Sequence, residues 1–204
     1  MYKLLHPTYF PPITHFVAFA QGEILLEACD NYQKQTYRNR AYIYGANGKQ
    51  ILSVPIKHTG NGGQRLYREV ILEDNFNWKK QHWKTIQTAY RTSPFFEYYE
   101  DDLAPFFEKK HDSIFQMNLE SIELIAECLQ MEISFDFTER YQIDYTNLND
   151  LRHLVDAKTP PNFGFDPYIQ VFETKHGYME NLSILDLLFN EGPNALHYLQ
   201  SQEL

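Results

Sequence analysis

The sequence predicts an α+β (or α/β) fold: a mixed sheet with a βαβ-like opening and a hairpin, packed against a mostly helical second half. Three observations predict it. The apolar stretches "KLL" and "EILLEAC" bracket a helix-forming segment within the first 30 residues. Asn47-Gly48 sits between β-rich flanks, a strong short-range hairpin signal. From Asn77 onward the apolar period becomes helical. The 204 residues suit one domain over 1–204, with a sheet-rich, basic part at 1–76 and a helix-rich, acidic part at 77–204.

The elements follow in order. "MYKLLHP" reads as a short strand stopped by Pro7. "PPITHFVAFAQG" reads as a short helix, because tandem prolines suit a first turn whose N–H groups have no partners anyway, and Gly22 ends it. "EILLEAC" is a continuous apolar run suited to a buried strand. In the hairpin, an Asn47-Gly48 turn sets Tyr44 opposite Ile51, Tyr42 opposite Ser53 and Arg40 opposite Pro55. Asn39, Ala41, Ile43, Leu52, Val54 and Ile56 then face the core, while Arg38, Arg40, Tyr42 and Tyr44 share the other face. "HTGNGGQR" reads as a mobile glycine-rich loop and "LYREVILE" as a returning strand.

Asn77 is a candidate N-cap for "WKKQHWKTIQTAYRT", in which Trp78, His82, Ile86, Ala89 and Tyr90 share one face. Ser93-Pro94 is read as the cap and first position of the next helix, "FFEYYEDDLAPFFEKK", with a break near Pro105. "DSIFQMNLESIELIAECLQ" is the clearest helix, with Phe115, Leu119, Ile122, Ala126 and Leu129 at helical spacing. "EISFDFTERY" alternates like a strand and adds residues 132–141 to the sheet. Residues 144–180 read as irregular, with a break at Pro160-Pro161. "NLSILDLLFNEGPNALHYLQ" gives two short helices divided by Gly192-Pro193.

Composition limits the function. The chain is 43% hydrophobic and 16% aromatic, enough for a packed core and too apolar for a disordered chain. Nothing resembles a signal peptide, and no run approaches the ~20 apolar residues of a membrane span. Cys29 and Cys128 form no metal or redox motif, so a reduced, cytoplasmic protein is expected. The net charge of −9 argues against nucleic-acid binding. It conceals a balance of +6 over residues 1–91 and −15 over residues 92–204, so an anionic ligand is drawn to the N-terminal part.

Three clusters carry candidate chemistry. In the loop "HPTYFPP", His6 and Tyr9 lie between a strand end and a helix start. A helix N-terminus binds phosphates and carboxylates, and histidine moves protons near neutral pH. Tyr9 and the helix start would orient an anion, with His6 as the proton carrier. The second cluster is Lys34, Arg38, Asn39 and Arg40, with Tyr42 beside Arg40 to pack on a sugar ring or base. A guanidinium fork matches a carboxylate or phosphate. On the core face Asn39 needs a fixed partner, a role the "HPTYF" backbone suits. The competing reading of this cluster is a charged hairpin edge that discourages aggregation. The third is Glu27, Asp30 and Asp186. Asp186 lies amid Leu185, Leu187 and Leu188, and the favoured reading is the exposed position of an amphipathic helix, with a basic partner as the alternative. "TGNGGQ" lacks the Lys and Ser/Thr of a phosphate-cradling loop, no other nucleotide or metalloprotease motif is present, and the scattered histidines suggest no metal. Neither a metal nor a cofactor is therefore expected.

The same stretches resemble the WbqC-like family of bacterial proteins. "HPTYFPPITHFVAF" is similar to its N-terminal signature, with His6, Pro12 and His15 where Gln, Trp and Tyr are usual. In "YQKQTYRNRAYIYGANGKQILSVPI", Lys34, Asn39, Arg40, Gly48 and Pro55 match the next block. "WKKQHWKTIQTAYRTSPFFEYYEDDL" and "NLSILDLLFNEGPNA" resemble later blocks of a divergent, Bacteroidetes-type branch. The resemblance implies a role in surface-polysaccharide or O-antigen synthesis, as a transferase acting on an activated sugar or amino-acid donor. Arg40 and Lys34 would then clamp the anion. Two other readings stand beside it: a non-catalytic assembly protein meeting its partner through "PFFEYY", and a nucleotidyltransferase-like enzyme, which lacks its expected second glycine–histidine pair. Homo-oligomerisation is left open.

Overall fold

The computed structural model describes residues 1–58, 64–158 and 162–204. The predicted break at Pro160-Pro161 and most of "TGNGGQ" lie outside them. The chain opens as β1 (Lys3–Leu5), α1 (Ile13–Ala20) and β2 (Ile24–Leu26), with β2 parallel to β1. This is the predicted βαβ opening. β5 (Phe135–Phe137) joins β2, and β6 (Asn149–Asp150) joins the free side of β1, both in parallel. The sheet order is β5-β2-β1-β6. Leu4, Leu5, Ile24 and Leu26 are almost fully buried, as expected of a parallel sheet covered on both faces.

The hairpin, β3 (Arg40–Gly45) and β4 (Gly48–Ser53), forms its own antiparallel sheet. Its core face is the predicted one: Ala41, Ile43, Leu52 and Val54 are buried. Its register is two residues from the predicted one, with Arg40 opposite Ser53, Tyr42 opposite Ile51 and Gly45 opposite Gly48. The turn is centred on Ala46-Asn47, and the positive φ of 99° falls on Gly48 rather than on Asn47. An even shift leaves every side chain on its own face, so alternation alone cannot detect it.

"LYREVILE" is not a strand. It forms a 3₁₀ turn at Tyr67–Glu69 with isolated bridges from Leu66, Ile71 and Leu72. The buried Tyr67 ring locks it, donating its hydroxyl to the Pro7 carbonyl at 2.7 Å. α2 (Trp78–Tyr90) buries the five residues expected, although the Asn77 side chain makes no cap hydrogen bond. α3 (Phe96–Glu108) begins later than Ser93-Pro94 predicts and runs through Pro105 without a break. The Ser93 hydroxyl is committed to the Tyr90 carbonyl. Pro105 lies on the solvent side, where water can satisfy the carbonyl that its missing N–H leaves unpaired. α4 (Ile114–Cys128) is capped by the Ser113 hydroxyl, which accepts from the Gln116 N–H. The region 144–180 is largely irregular, as predicted, apart from β6, a 3₁₀ turn at Arg152–Val155 and α5 (Glu173–His176). α6 (Ile184–Glu191) and α7 (Ala195–Ser201) flank a 3₁₀ turn at Gly192–Asn194.

Core residues run from Leu5 to Leu199. Cys29 and Cys128 are free thiols, and burial pushes that of Cys128 up to about 12. Among the described residues no helix is long and apolar enough to cross a membrane.

Gly192 tests the α6–α7 junction. Its φ is +51°, and a Cβ there would lie 2.5 Å from Cγ of Phe95. Backbone strain and ring displacement each amount to roughly 1–3 kcal/mol. Gly192→Ala is therefore expected to lower stability by about 2–4 kcal/mol in urea unfolding. A loss below about 1 kcal/mol would show that Phe95 moves freely.

Candidate functional site

The sheet order explains where the cleft lies. After β1 the chain adds β2 and then β5 on one side, and returns to place β6 on the other. The connections leaving β1 and β6 therefore diverge, and such switch points open crevices at the carboxyl ends of parallel strands. Here the cavity measures about 660 Å³ and is lined by His6, Asp30, Lys34, Arg38, Tyr141 and Arg152, among others. His6 follows β1, Asp30 lies in the turn after β2, and Arg152 follows β6.

Asp30 is the centre of the polar floor. One carboxylate oxygen, Oδ2, is 2.9 Å from His6 Nε2 and 2.6 Å from an Arg38 terminal nitrogen. Burial alone would raise the Asp30 pKa, but the His6 hydrogen bond and the Arg38 charge hold it below the ordinary carboxylate value. His6 is lowered to about 4, chiefly by burial and further by Arg38, against the opposing pull of Asp30. At neutral pH the pair is thus carboxylate and neutral imidazole. The carboxylate can only accept, so Nε2 carries the ring proton and Nδ1 holds the lone pair. That Nδ1 is buried and has no hydrogen-bond partner among the described residues.

Arg38 is the second unusual group. It is fully buried, yet among the described residues its Nε and NH1 have no partner. Its guanidinium carbon lies 5.4 Å from the Tyr67 ring centroid, and its carbonyl accepts from Asn118 Nδ2 at 2.7 Å. Tyr67 and Asn118 thereby fix the residue from below. Within electrostatic reach of His6 lies His15, fully buried, with neither ring nitrogen partnered among the described residues. Burial, then the neighbouring His6 and His153, lowers it to about 3. Beside them, Glu27 accepts from the Thr138 hydroxyl at 2.7 Å and from Arg152 at 3.4 Å. Among the described residues no group of three His, Cys, Asp or Glu side chains is arranged to hold a metal.

The sequence candidates divide. His6, Lys34 and Arg38 line the cleft, and Asp30 links the first to the third. Asn39, Arg40 and Tyr42 do not line it. Asn39 Nδ2 reaches the Val54 carbonyl at 3.4 Å, so its partner is the hairpin and not the "HPTYF" loop. Tyr42 packs edge-on against Tyr37 with Lys49 over its ring. Tyr9 is a core residue: it is fully buried, its hydroxyl is 3.0 Å from His82 Nδ1, and burial pushes its pKa well up. The N-terminus of α1 is also closed, because Ile13 N–H donates to the Leu182 carbonyl and Thr14 N–H to Asn181 Oδ1.

Asp186 is not exposed. It is fully buried and accepts from Tyr90, Tyr168 and Gln170, with no basic partner among the described residues. "PFFEYY" is no aromatic patch either, since Phe96 and Tyr99 are buried and Tyr98 is exposed. Sequence reasoning missed Tyr141, Asp150 and Arg152 among the lining residues: Tyr141 ends the weak strand pattern of residues 132–141, and Asp150 and Arg152 lie in a stretch that reads only as irregular.

The profile of the WbqC-like protein family matches residues 6–159, a span that begins at His6 and contains every residue lining the cleft. The chain belongs to the WbqC-like protein family. A Mycobacterium tuberculosis member of similar length, described as uncharacterized protein Rv1507c, is 27% identical over 225 residues, covering 97% of this chain and 96% of the relative. No solved structure matches the chain. The WbqC-like span thus begins directly after β1, covers α1 to β6 and ends before α5, so α6 and α7 lie beyond it.

Proposed function

We propose that this WbqC-like protein is a single-domain group transferase acting on an anionic small molecule, such as an activated sugar or amino-acid donor for bacterial surface polysaccharide. One observation carries the reading: the buried, half-unpartnered Arg38 guanidinium stands beside a His6–Asp30 pair in an open cleft. A buried cation with unfilled donors is costly unless an anion completes it. Arg38 and Lys34 hold the anionic part of the donor. His6 Nδ1 takes the proton of an acceptor hydroxyl or amine as that atom bonds to the transferred group. The leaving group departs with the bonding pair and receives that proton from the imidazolium. Asp30 fixes the tautomer and stabilises the imidazolium, as a carboxylate does in a catalytic triad.

The test is a thermal-shift screen of nucleotides, nucleotide-sugars, amino acids and acyl donors. A ligand at 100 times its Kd adds about 2.7 kcal/mol, which raises Tm by several degrees in a chain of this size. The shift is expected in wild type and in Arg40→Ala, reduced in Lys34→Ala, and lost in Arg38→Lys, which keeps the charge but not the fork. A shift that survives Arg38→Lys unchanged, or the absence of any shift in wild type, overturns the reading.

A further inference from the structure

We propose that Tyr141 is a stacking platform for a ring carried by the anion that Arg38 holds, so that the cleft takes a ring-bearing phosphate or carboxylate rather than a small inorganic anion. The inference rests on the anion-binding reading above and adds the class of molecule attached to the charge. Tyr141 lines the cleft and is 48% exposed. One side of its ring is taken: the Arg152 guanidinium carbon lies 5.3 Å from its centroid, and 5.2 Å from that of Tyr145. With about half of the residue exposed, Tyr141 keeps surface that a ligand in the cleft can cover.

Arg152 is itself firmly held. Its Nε donates to Asp150 Oδ1 at 2.9 Å, and its NH1 reaches Glu27 at 3.4 Å. Its NH1 and NH2 each donate, at 2.8 Å, to the carbonyls of Gln142 and Ile143, the two residues after Tyr141. One side chain thus fixes both the ring and the backbone that carries it. A ring held in place before binding loses little freedom when a ligand stacks on it, and this is how preorganised aromatic surfaces gain affinity. The role assigned from the sequence to Tyr42 falls to Tyr141, because Tyr42 is covered by Lys49 and Tyr37. A cavity of about 660 Å³ accommodates a ring and its anion together.

Isothermal titration calorimetry with three probes tests this: inorganic phosphate, uridine monophosphate and glucose 1-phosphate. Wild type, Tyr141→Ala, Tyr141→Phe and Arg38→Lys are compared, with circular dichroism confirming the fold of each. Wild type is expected to bind at least one ring-bearing probe more tightly than phosphate. Tyr141→Ala should weaken that probe by roughly tenfold to hundredfold, the usual effect of removing one stacked aromatic, and leave phosphate unchanged. Tyr141→Phe should retain the affinity. The two organic probes show whether the ring is a base or a pyranose. Equal loss for phosphate and the ring-bearing probe, no loss in Tyr141→Ala, or no binding of either organic probe to wild type overturns the proposal. An Arg38→Lys variant that binds phosphate normally while Tyr141→Ala still loses the ring-bearing probe would sink the anion-site reading alone.

Discussion

Asp186→Ala is expected to destabilise the protein by about 3–6 kcal/mol in chemical unfolding at pH 7. The carboxylate accepts from Tyr90 at 2.8 Å, Tyr168 at 2.6 Å and Gln170 at 2.9 Å, and all three donors are buried. Alanine leaves each without this acceptor, and an unsatisfied buried donor is worth roughly 1–3 kcal/mol. The network also joins elements, since the Tyr90 hydroxyl accepts from the Tyr44 N–H of β3 and Tyr168 belongs to the irregular region. Asp186→Asn separates shape from charge. Burial raises the Asp186 pKa to about 6, against the pull of its three donors. The acid therefore contributes stability that is full below its unfolded value near 4 and lost as pH rises through about 6. At neutral pH the charged form forgoes about 3 kcal/mol of this, so Asn should lie far closer to wild type than Ala. A loss in Ala below about 1 kcal/mol would mean that the tyrosines find other partners.

Stability should also fall steeply in mild acid. His6, His15 and His82 are lowered to about 4, about 3 and about 4, in each case first by burial. A histidine whose folded pKa lies below its unfolded value near 6.5 contributes stability that is full above 6.5 and lost as pH falls toward the folded value. Each of the three represents roughly 3–5 kcal/mol over its whole window. Between pH 6 and 4 the Asp186 proton acts in the opposite direction, leaving a net difference of about two protons. The expected slope is about 3 kcal/mol per pH unit, and a domain of ordinary stability would unfold before pH 4. Urea unfolding at pH 7, 6 and 5 measures it, and a flat profile would mean that the histidines are not buried neutral. His15→Leu removes two unpartnered buried nitrogens, so it should stabilise by about 1–2 kcal/mol at pH 7 and shallow the acid limb by one proton. Asp186→Asn should steepen that limb by one.

The failure of the sequence at Asp186 has a clear physical source. An amphipathic reading assumes that one side of a helix meets water. In α6, Ile184, Leu185, Asp186, Leu187, Leu188 and Phe189 are all buried, so no side does. The partners Tyr90 and Tyr168 come from remote segments that no local pattern connects. Arg38 and Arg40 show a similar limit. Period-two alternation placed them together, but β3 begins at Arg40, and Arg38 lies in the preceding turn, where alternation does not apply. Arg38 turns inward to Asp30, and Arg40 stays outside the cleft.

What the sequence determined by itself was local. The βαβ opening, the core face of the hairpin, the buried stripe of α2 and the capped run of α4 each follow from periodicity, turn residues or capping within some 20 positions. The basic residues before the hairpin include Lys34 and Arg38, and the strand–helix loop includes His6, and all three line the cleft. Only the tertiary structure decided that these three share one cleft with Asp30, Tyr141 and Arg152. That depends on β6, a two-residue strand without sequence signature, settling against β1 and carrying Arg152 to the end of the sheet where His6 emerges. Such pairing is fixed by burial and hydrogen bonding between segments nearly 150 residues apart, and at that separation the interactions arise only once the chain has folded.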